Sequence, residues 1–456
     1  MRIKGSLHNL MAYAAGVRLS RLLMTAAVLH LLLVLALNWL GRAGVFPYTF
    51  DENGIGISFA VDSTEYRKYI IVLVKMLEQD GVIAWVKDST PFHVKLYSLC
   101  YAGLGRWVGY TTLSAEPLNL AYYLLILTFV FLLGREVFDR RAGILAACVV
   151  AVWPSLLLHT TQLLRDPLFI ATLLALLLVC ASYLKRECNW IKAIALALVG
   201  GALACVIWLI RSQVWEVMLA FLSLTLGLVL LKAARERRVC VSNLAGCVLL
   251  LLIVLGLPKI GRALNLYSYP AIPTAVAQEQ GASGAQPQTI VVESRRSLPP
   301  GSSLPARISY LRSGFIYSYP SAGSNIDMEV EFKSFYEILL YLPRAAEIGF
   351  LSPFPNMWFE NGPQVGRAGR LLSGFETLCF YLLEMLTIIC LWRCRRNFSA
   401  WLLFFTASIG MLALGLVVAN IATLYRMRYA FWILIVILGI KGALALSSPS
   451  TEAHAR

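Results

Sequence analysis

The strongest constraint on this chain is a succession of apolar stretches at 22–40, 117–133, 142–158, 168–184, 193–210, 214–231, 239–257, 371–391, 400–419 and 429–446. Each approaches the roughly 20 residues a helix needs to cross a bilayer. Inside hydrocarbon every backbone polar group must be paired within the segment, and uninterrupted apolar runs of this length do that as helices. The fold class expected is therefore an all-α polytopic membrane protein of about ten transmembrane helices. Composition agrees, because only 14% of the residues are charged where soluble domains carry about 25%.

The net charge of +15 comes from 40 Lys and Arg against 25 Asp and Glu. Much of the excess sits in short turns, GREVFDRR, KRECNWIK, KAARERR and WRCRRN, which alternate with less basic turns along the chain. This is the bias of cytoplasmic loops, so it marks orientation, and no nucleic-acid partner is expected. Both termini are placed inside, with 1–21 as a cytoplasmic N-terminus and 447–456 as a cytoplasmic tail. The first span lacks a small-residue cleavage site before Gly41 and reads as a retained anchor. Cys148, Cys180, Cys205, Cys247 and Cys379 lie in apolar spans, where cysteine behaves as a small hydrophobe, and no disulfides are expected.

Two long segments fall on the outer side. Residues 41–116 form a first outer loop within a transmembrane module spanning 22–257, with amphipathic helices expected over 66–78 and 92–107, the latter through Leu96, Leu99, Leu104 and Trp107. Both suit the membrane surface. Residues 258–370 form a second outer segment, whose 270–305 part is rich in Ala, Gln, Gly, Ser and Pro and expected to be flexible. Aromatic and helical character returns over 307–360, which is expected to form a small outer cap before the C-terminal spans of 371–446.

Short outer turns should be poor in arginine, yet Arg165, Arg211, Arg426 and Arg428 lie there, each within a residue or two of a span. A cation at that depth needs an anionic partner. Salt bridges to outer carboxylates or ordinary phospholipid satisfy that need. So does the phosphate of a specific lipid substrate, whose oxygens suit the guanidinium fork. The carboxylates on the same side are Asp51, Glu52, Asp62, Glu65 and Asp166. Asp62 and Asp166 precede helical runs and read equally as N-caps or as acid–base groups; Asp51 and Glu52 are a reserve pair, and Glu65 a supporting acid. Glu376 and Glu384 fall inside the eighth span; Glu376 is near enough to its outer end to reach a site, and Glu384 is expected to bond to another helix. His93 and His159 are structural histidines or holders of phosphate or metal. A divalent metal stays open, and no cofactor is assigned.

Several segments together resemble the GT-C superfamily of integral-membrane glycosyltransferases, in particular its protein-mannosyltransferase and aminoarabinose-transferase-like branch. They are Asp62 with Tyr66 and a helix ending at Asp80-Gly81, TPFHVKLYSLCYAGLG, GREVFDRRAG, AVWPSL, LLRDPLFIATLLALL and NIATLYRMRYAFW. The resemblance implies a GT-C-like bundle in a bacterial cytoplasmic (inner) membrane, with its site on the outer, periplasmic face. It implies Asp62 as the first-loop catalytic acid and Asp166 as the second-loop acid. A polyprenyl-phosphate sugar is the implied donor, its phosphate held by arginines, and the acceptor a cell-envelope glycan, lipid or protein. One departure is that many members carry two adjacent acids where this chain has Asp62-Ser63. Transfer of this kind needs a base on the acceptor hydroxyl and charge stabilisation on the leaving phosphate, with inversion at the anomeric carbon. Two other classes share outer arginines: a lipid-linked polysaccharide polymerase or ligase, and a flippase or exporter of lipid-linked saccharide.

Overall fold

Long apolar runs bounded by capping residues become helices here. A computed structural model describes residues 16–46, 49–51, 54–263, 302–318, 320, 322–362 and 365–447. Glu52, the 270–301 part of the stretch expected to be flexible, and the 448–456 part of the tail lie outside them. Among the described residues nine helices are long and apolar enough to cross a membrane, and a tenth crossing exists only if a bent pair counts as one span. The chain is a multi-pass membrane protein.

The first span is α1 (Leu19–Arg42), followed by the loop helices α2 (Val61–Gln79), α3 (Gly81–Lys87) and α4 (Phe92–Val108). Next come α5 (Thr112–Val137), the short pair α6 (Arg140–Ala151) and α7 (Pro154–Thr160), then α8 (Asp166–Lys185), α9 (Trp190–Ile210), α10 (Trp215–Glu236) and α11 (Val241–Ala263). After the second long segment, with α12 (Leu304–Ser318) and α13 (Phe335–Ala346), the chain closes through α14 (Gly366–Arg393), α15 (Phe398–Val417), α16 (Ile421–Met427) and α17 (Tyr429–Ser447). Side-chain caps set several starts: Asp139 accepts from the Ala142 amide, Asn189 from Lys192, and Asn420 from Thr423.

One expected span is not continuous. The run 142–158 breaks between α6 and α7 with a 70° bend. Pro154 has no amide proton to extend α6, and Trp153 before it is driven to extended backbone (φ −73°, ψ 111°). The backbone groups released at the break are paired from other helices. The Tyr123 hydroxyl donates to the Ala151 carbonyl at 2.7 Å, and the Ser155 amide donates to Glu376 Oε1 at 2.8 Å.

Helices α8 and α17 run through the middle, α8 buried along nearly its whole length and α17 from Tyr429 to Ile440. By contrast α1 leaves Leu32, Leu35 and Trp39 exposed, as a lipid-facing helix does. Small residues allow the closest crossings. Gly439 and Gly442 of α17 lie against the backbone of α14, where a β-carbon at 439 would stand 2.8 Å from the Leu383 carbonyl and one at 442 would collide with the Leu386 carbonyl. Gly134 and Gly143, the outer residues of GREVFDRRAG, pack backbone to backbone where α5 turns into α6. At this basic end Arg186 holds Glu136, Lys441 holds Asp139 at 2.7 Å, and the Asn397 amide donates to the Val137 carbonyl at 2.8 Å.

At the opposite end α2 and α4 pack on each other and on α5 through Ile70, Leu73, Val94, Tyr97, Tyr101 and Tyr122. Of the apolar positions expected on the membrane-surface face of α4, Leu99 and Trp107 are exposed, while Val94, Tyr97 and Tyr101 turn inward. The 304–351 region folds against α15 through Ile308, Phe332, Ile338, Ala345 and Leu416. Buried Arg312 ties it down by donating to the carbonyls of Leu416 (3.1 Å) and Asp327 (2.7 Å).

Candidate functional site

Two carboxylates and two guanidiniums meet at the end of the bundle opposite the basic turns. Arg426 Nη2 donates to Asp62 Oδ2 at 2.6 Å, and its Nε lies 3.3 Å from Asp166 Oδ2. Arg211 closes on the other oxygen of Asp166. Local structure favours each charge where it stands. Asp62 and Asp166 lie in the first turns of α2 and α8, whereas Arg211 is the residue that ends α9 and Arg426 lies in the last turn of α16. Helix starts favour anions and helix ends favour cations. Neither carboxylate is an N-cap, contrary to one expectation: the capping positions are Ala60 and Arg165, and neither makes a side-chain capping hydrogen bond.

The two acids differ in access. The Asp166 side chain is 6% exposed and paired with both Arg211 and Arg426, whereas Asp62 is 27% exposed. Arg165 acts on the same neighbourhood, since its charge and those of Asp62, Asp166 and Arg426 all reach the Tyr66 phenol. Burial is the main cause that pushes this phenol above its ordinary pKa. Burial alone would lower the Arg426 guanidinium, but Asp166 and Asp62 outweigh it and raise the pKa. Among the described residues of this group two carboxylates stand with three guanidiniums, an excess of one positive charge that favours an anion.

His93 belongs to this group. It sits in the first turn of α4, 2% exposed, with its ring edge-on to Tyr66 at 4.8 Å. Burial, reinforced by Arg165 and Arg211 and opposed by Asp166, holds its pKa down at about 3, so the ring is neutral. His159 lies beside the group but is held structurally. Its Nδ1 donates to the Ser155 carbonyl at 2.6 Å, and its ring packs on Phe59 and Tyr429.

Other expected site residues are elsewhere. Arg428 is not a partner of Arg426: it donates to the Ser352 carbonyl and lies between the Phe380 and Tyr425 rings at 5.2 and 4.7 Å. Residues two apart on a helical turn face nearly opposite ways, which separates 426 from 428. Glu376 does not reach the site either, because one oxygen accepts from the Ser155 amide and the other from the Tyr425 hydroxyl. Glu384 was expected to bond across helices, yet its Oε1 is buried with no hydrogen-bond partner among the described residues. Asp51 organises its own turn, accepting from the Ile55 amide at 2.9 Å and standing 3.5 Å from Arg67. Glu65 is exposed and pairs with Lys68 at 2.8 Å.

Several positioning contacts have no signature in the sequence. The turn 161–165 leading to Asp166 is stitched to the first loop. The Leu163 amide donates to Ser63 Oγ at 3.2 Å, the Ile57 amide to Gln162 Oε1 at 3.1 Å, and the Tyr97 hydroxyl to the Leu164 carbonyl at 3.1 Å. Ser63, where a second acid was looked for, therefore anchors the turn that carries Asp166. Below it, buried His30 of α1 joins Glu116 of α5 at 2.8 Å and Thr160 of α7 at 3.1 Å. Among the described residues no group of three or more His, Cys, Asp or Glu side chains is arranged to hold a metal ion. No protein-family model, no curated protein and no solved structure matches this chain.

Proposed function

We propose that this protein is a membrane glycosyltransferase of GT-C type that moves a sugar from a polyprenyl-phosphate donor to a hydroxyl of a cell-envelope glycan, lipid or protein. The observation that carries this reading is the Arg426 bridge, which joins Asp62 and Asp166, with Arg211 on the far side of Asp166. A glycosyl phosphodiester brings one negative charge to a place with one net positive charge. Its phosphate competes with Asp62 for Arg426, and that exchange frees the more open carboxylate.

In this reading Asp62 takes the proton from the acceptor hydroxyl as its oxygen bonds to the anomeric carbon. The bond from that carbon to the phosphate oxygen breaks, and the electron pair leaves on the phosphate. Arg211, Arg426 and Arg165 stabilise the charge that develops there. Attack on the face opposite the leaving group inverts the carbon. Asp166, locked between two guanidiniums, orients the arginines rather than moving a proton. Lipid in a bacterial inner membrane, with the site on its periplasmic face, supplies the donor in this proposal.

Incubating the purified full chain with undecaprenyl-phosphate sugars and an envelope glycan extract tests it. The Asp62→Asn variant is expected to lose transfer by about 10²-fold or more while still binding undecaprenyl phosphate. Transfer retained by Asp62→Asn removes Asp62 as the base. If the wild-type protein turns over no lipid sugar but moves one across a vesicle bilayer, the enzyme reading fails in favour of transport.

A further inference from the structure

Several buried polar atoms beside the carboxylate–arginine group have no hydrogen-bond partner among the described residues, and His93 is the side chain with two of them. Neither Nδ1 nor Nε2 has a hydrogen-bond partner among the described residues, although the residue is 2% exposed. The fold places it deliberately: Pro91 begins α4 in extended backbone, and His93 follows in the first turn, facing Tyr66 of α2. Arg165, Asp166 and Arg211 all act on it. A buried polar group without a partner is costly, and native interiors rarely retain two on one side chain.

A neutral imidazole offers one N–H and one lone pair. Satisfying both takes one acceptor and one donor. An ionised phosphate diester has acceptors only, so it leaves the lone pair unmet, and phosphate is already matched by the guanidiniums of Arg211 and Arg426. Hydroxyls supply both roles, and two neighbouring hydroxyls reach both nitrogens. We infer that His93 contacts the ligand of this site and takes the hydroxyl groups of its glycosyl part, while the arginines take its phosphate. The inference rests on the proposed function and divides the donor between two sets of residues. Tyr66, edge-on to His93, holds the ring in the orientation that serves this contact.

Binding of two probes to the purified full chain in lipid nanodiscs tests the division. One probe is undecaprenyl phosphate; the other is a panel of undecaprenyl-phosphate hexoses and aminoarabinose. The wild type is expected to hold at least one sugar-bearing lipid more tightly than the bare phosphate. The His93→Phe variant fills the volume without donor or acceptor. It should lose that preference, by about tenfold, with affinity for bare undecaprenyl phosphate unchanged. The His93→Gln variant retains a donor and an acceptor and is expected to keep part of the preference. Equal loss for both probes, or no loss in His93→Phe, overturns the assignment. So does a wild type that binds bare and glycosylated lipid alike, although phosphate recognition would then survive. A wild type that binds neither probe sinks the proposed function itself. Should both variants fail to fold, the ¹⁵N resonances of His93 in wild-type protein decide. They must shift on adding the preferred glycosyl lipid and not on adding the bare phosphate, and any other pattern rejects the contact.

Discussion

At the scale of single residues the site is governed by how its charges are shared. Asp166 is buried between Arg211 and Arg426, so removing it takes the paired carboxylate from buried Arg211 and leaves Arg426 with Asp62 alone. Breaking a buried pair by deleting one partner costs about 3–5 kcal/mol. Asp166→Leu should therefore lower thermal stability clearly, and a second change, Arg211→Met, should recover part of the loss; calorimetry of the two variants checks this. Asp62→Asn, at a more open position, is expected to change stability little. His93 adds a pH dependence. Its unfolded form takes up a proton near pH 6.5, whereas the folded form resists until about 3. The unfolded state binds more protons between those values, so this contribution is complete above pH 6.5 and is lost as pH falls toward 3. Denaturant unfolding of wild type and His93→Gln across pH 7 to 4 should show a shallower acid loss in the variant. Which arginine would join Asp62 was not readable. Arg426 and Arg428 look alike in the sequence, and only the turn of α16 sends one to the carboxylates and the other to Ser352 and two aromatic rings.

At the scale of elements, crossings and breaks position the site. The α14–α17 contact depends on glycine, and Gly442→Leu would drive a side chain into the Leu386 carbonyl. That change is expected to cost about 1–3 kcal/mol or more by overpacking, read as a loss of folded protein after detergent heating. The break between α6 and α7 depends on Glu376, which receives the Ser155 amide and the Tyr425 hydroxyl. Glu376→Leu should destabilise the protein, while Glu376→Gln, which retains an acceptor, should do so less; matched thermal melts separate them. The break has a visible cause in Pro154, but the apolar run around it reads as an ordinary span, because hydropathy counts composition and not the missing amide. The first turns of α2 and α8 were legible as helix starts from Asp62 and Asp166. That neither acid is the cap was not legible, since each lies only one or two residues past the capping position.

At the scale of the whole molecule the chain has two chemically different ends. One is basic and closed by Arg186–Glu136 and Lys441–Asp139; the other gathers Asp62, Asp166, Arg211 and Arg426. Single cysteines introduced at exposed Gln213 and Arg237, at opposite ends of α10, in a cysteine-free background should label from opposite sides of sealed vesicles with an impermeant maleimide. Labelling of both from one side would contradict a membrane crossing by that helix.

Local pattern determined the approximate bounds of the nine long crossing helices among the described residues, though not the break in a tenth apolar run, because a span of apolar residues carries its own backbone pairing and needs no partner to be recognised. It also determined which short turns are basic and that four arginines stand where few are expected. Only the tertiary structure decided which charges meet. Asp62 and Arg426 are 364 residues apart, and Asp166 reaches both Arg211 and Arg426 through the packing of three separate helices. Apolar periodicity states which face of a helix is buried but not against which neighbour. Partners at the head of the bundle are set by that packing, and so is the burial of neutral His93 among them.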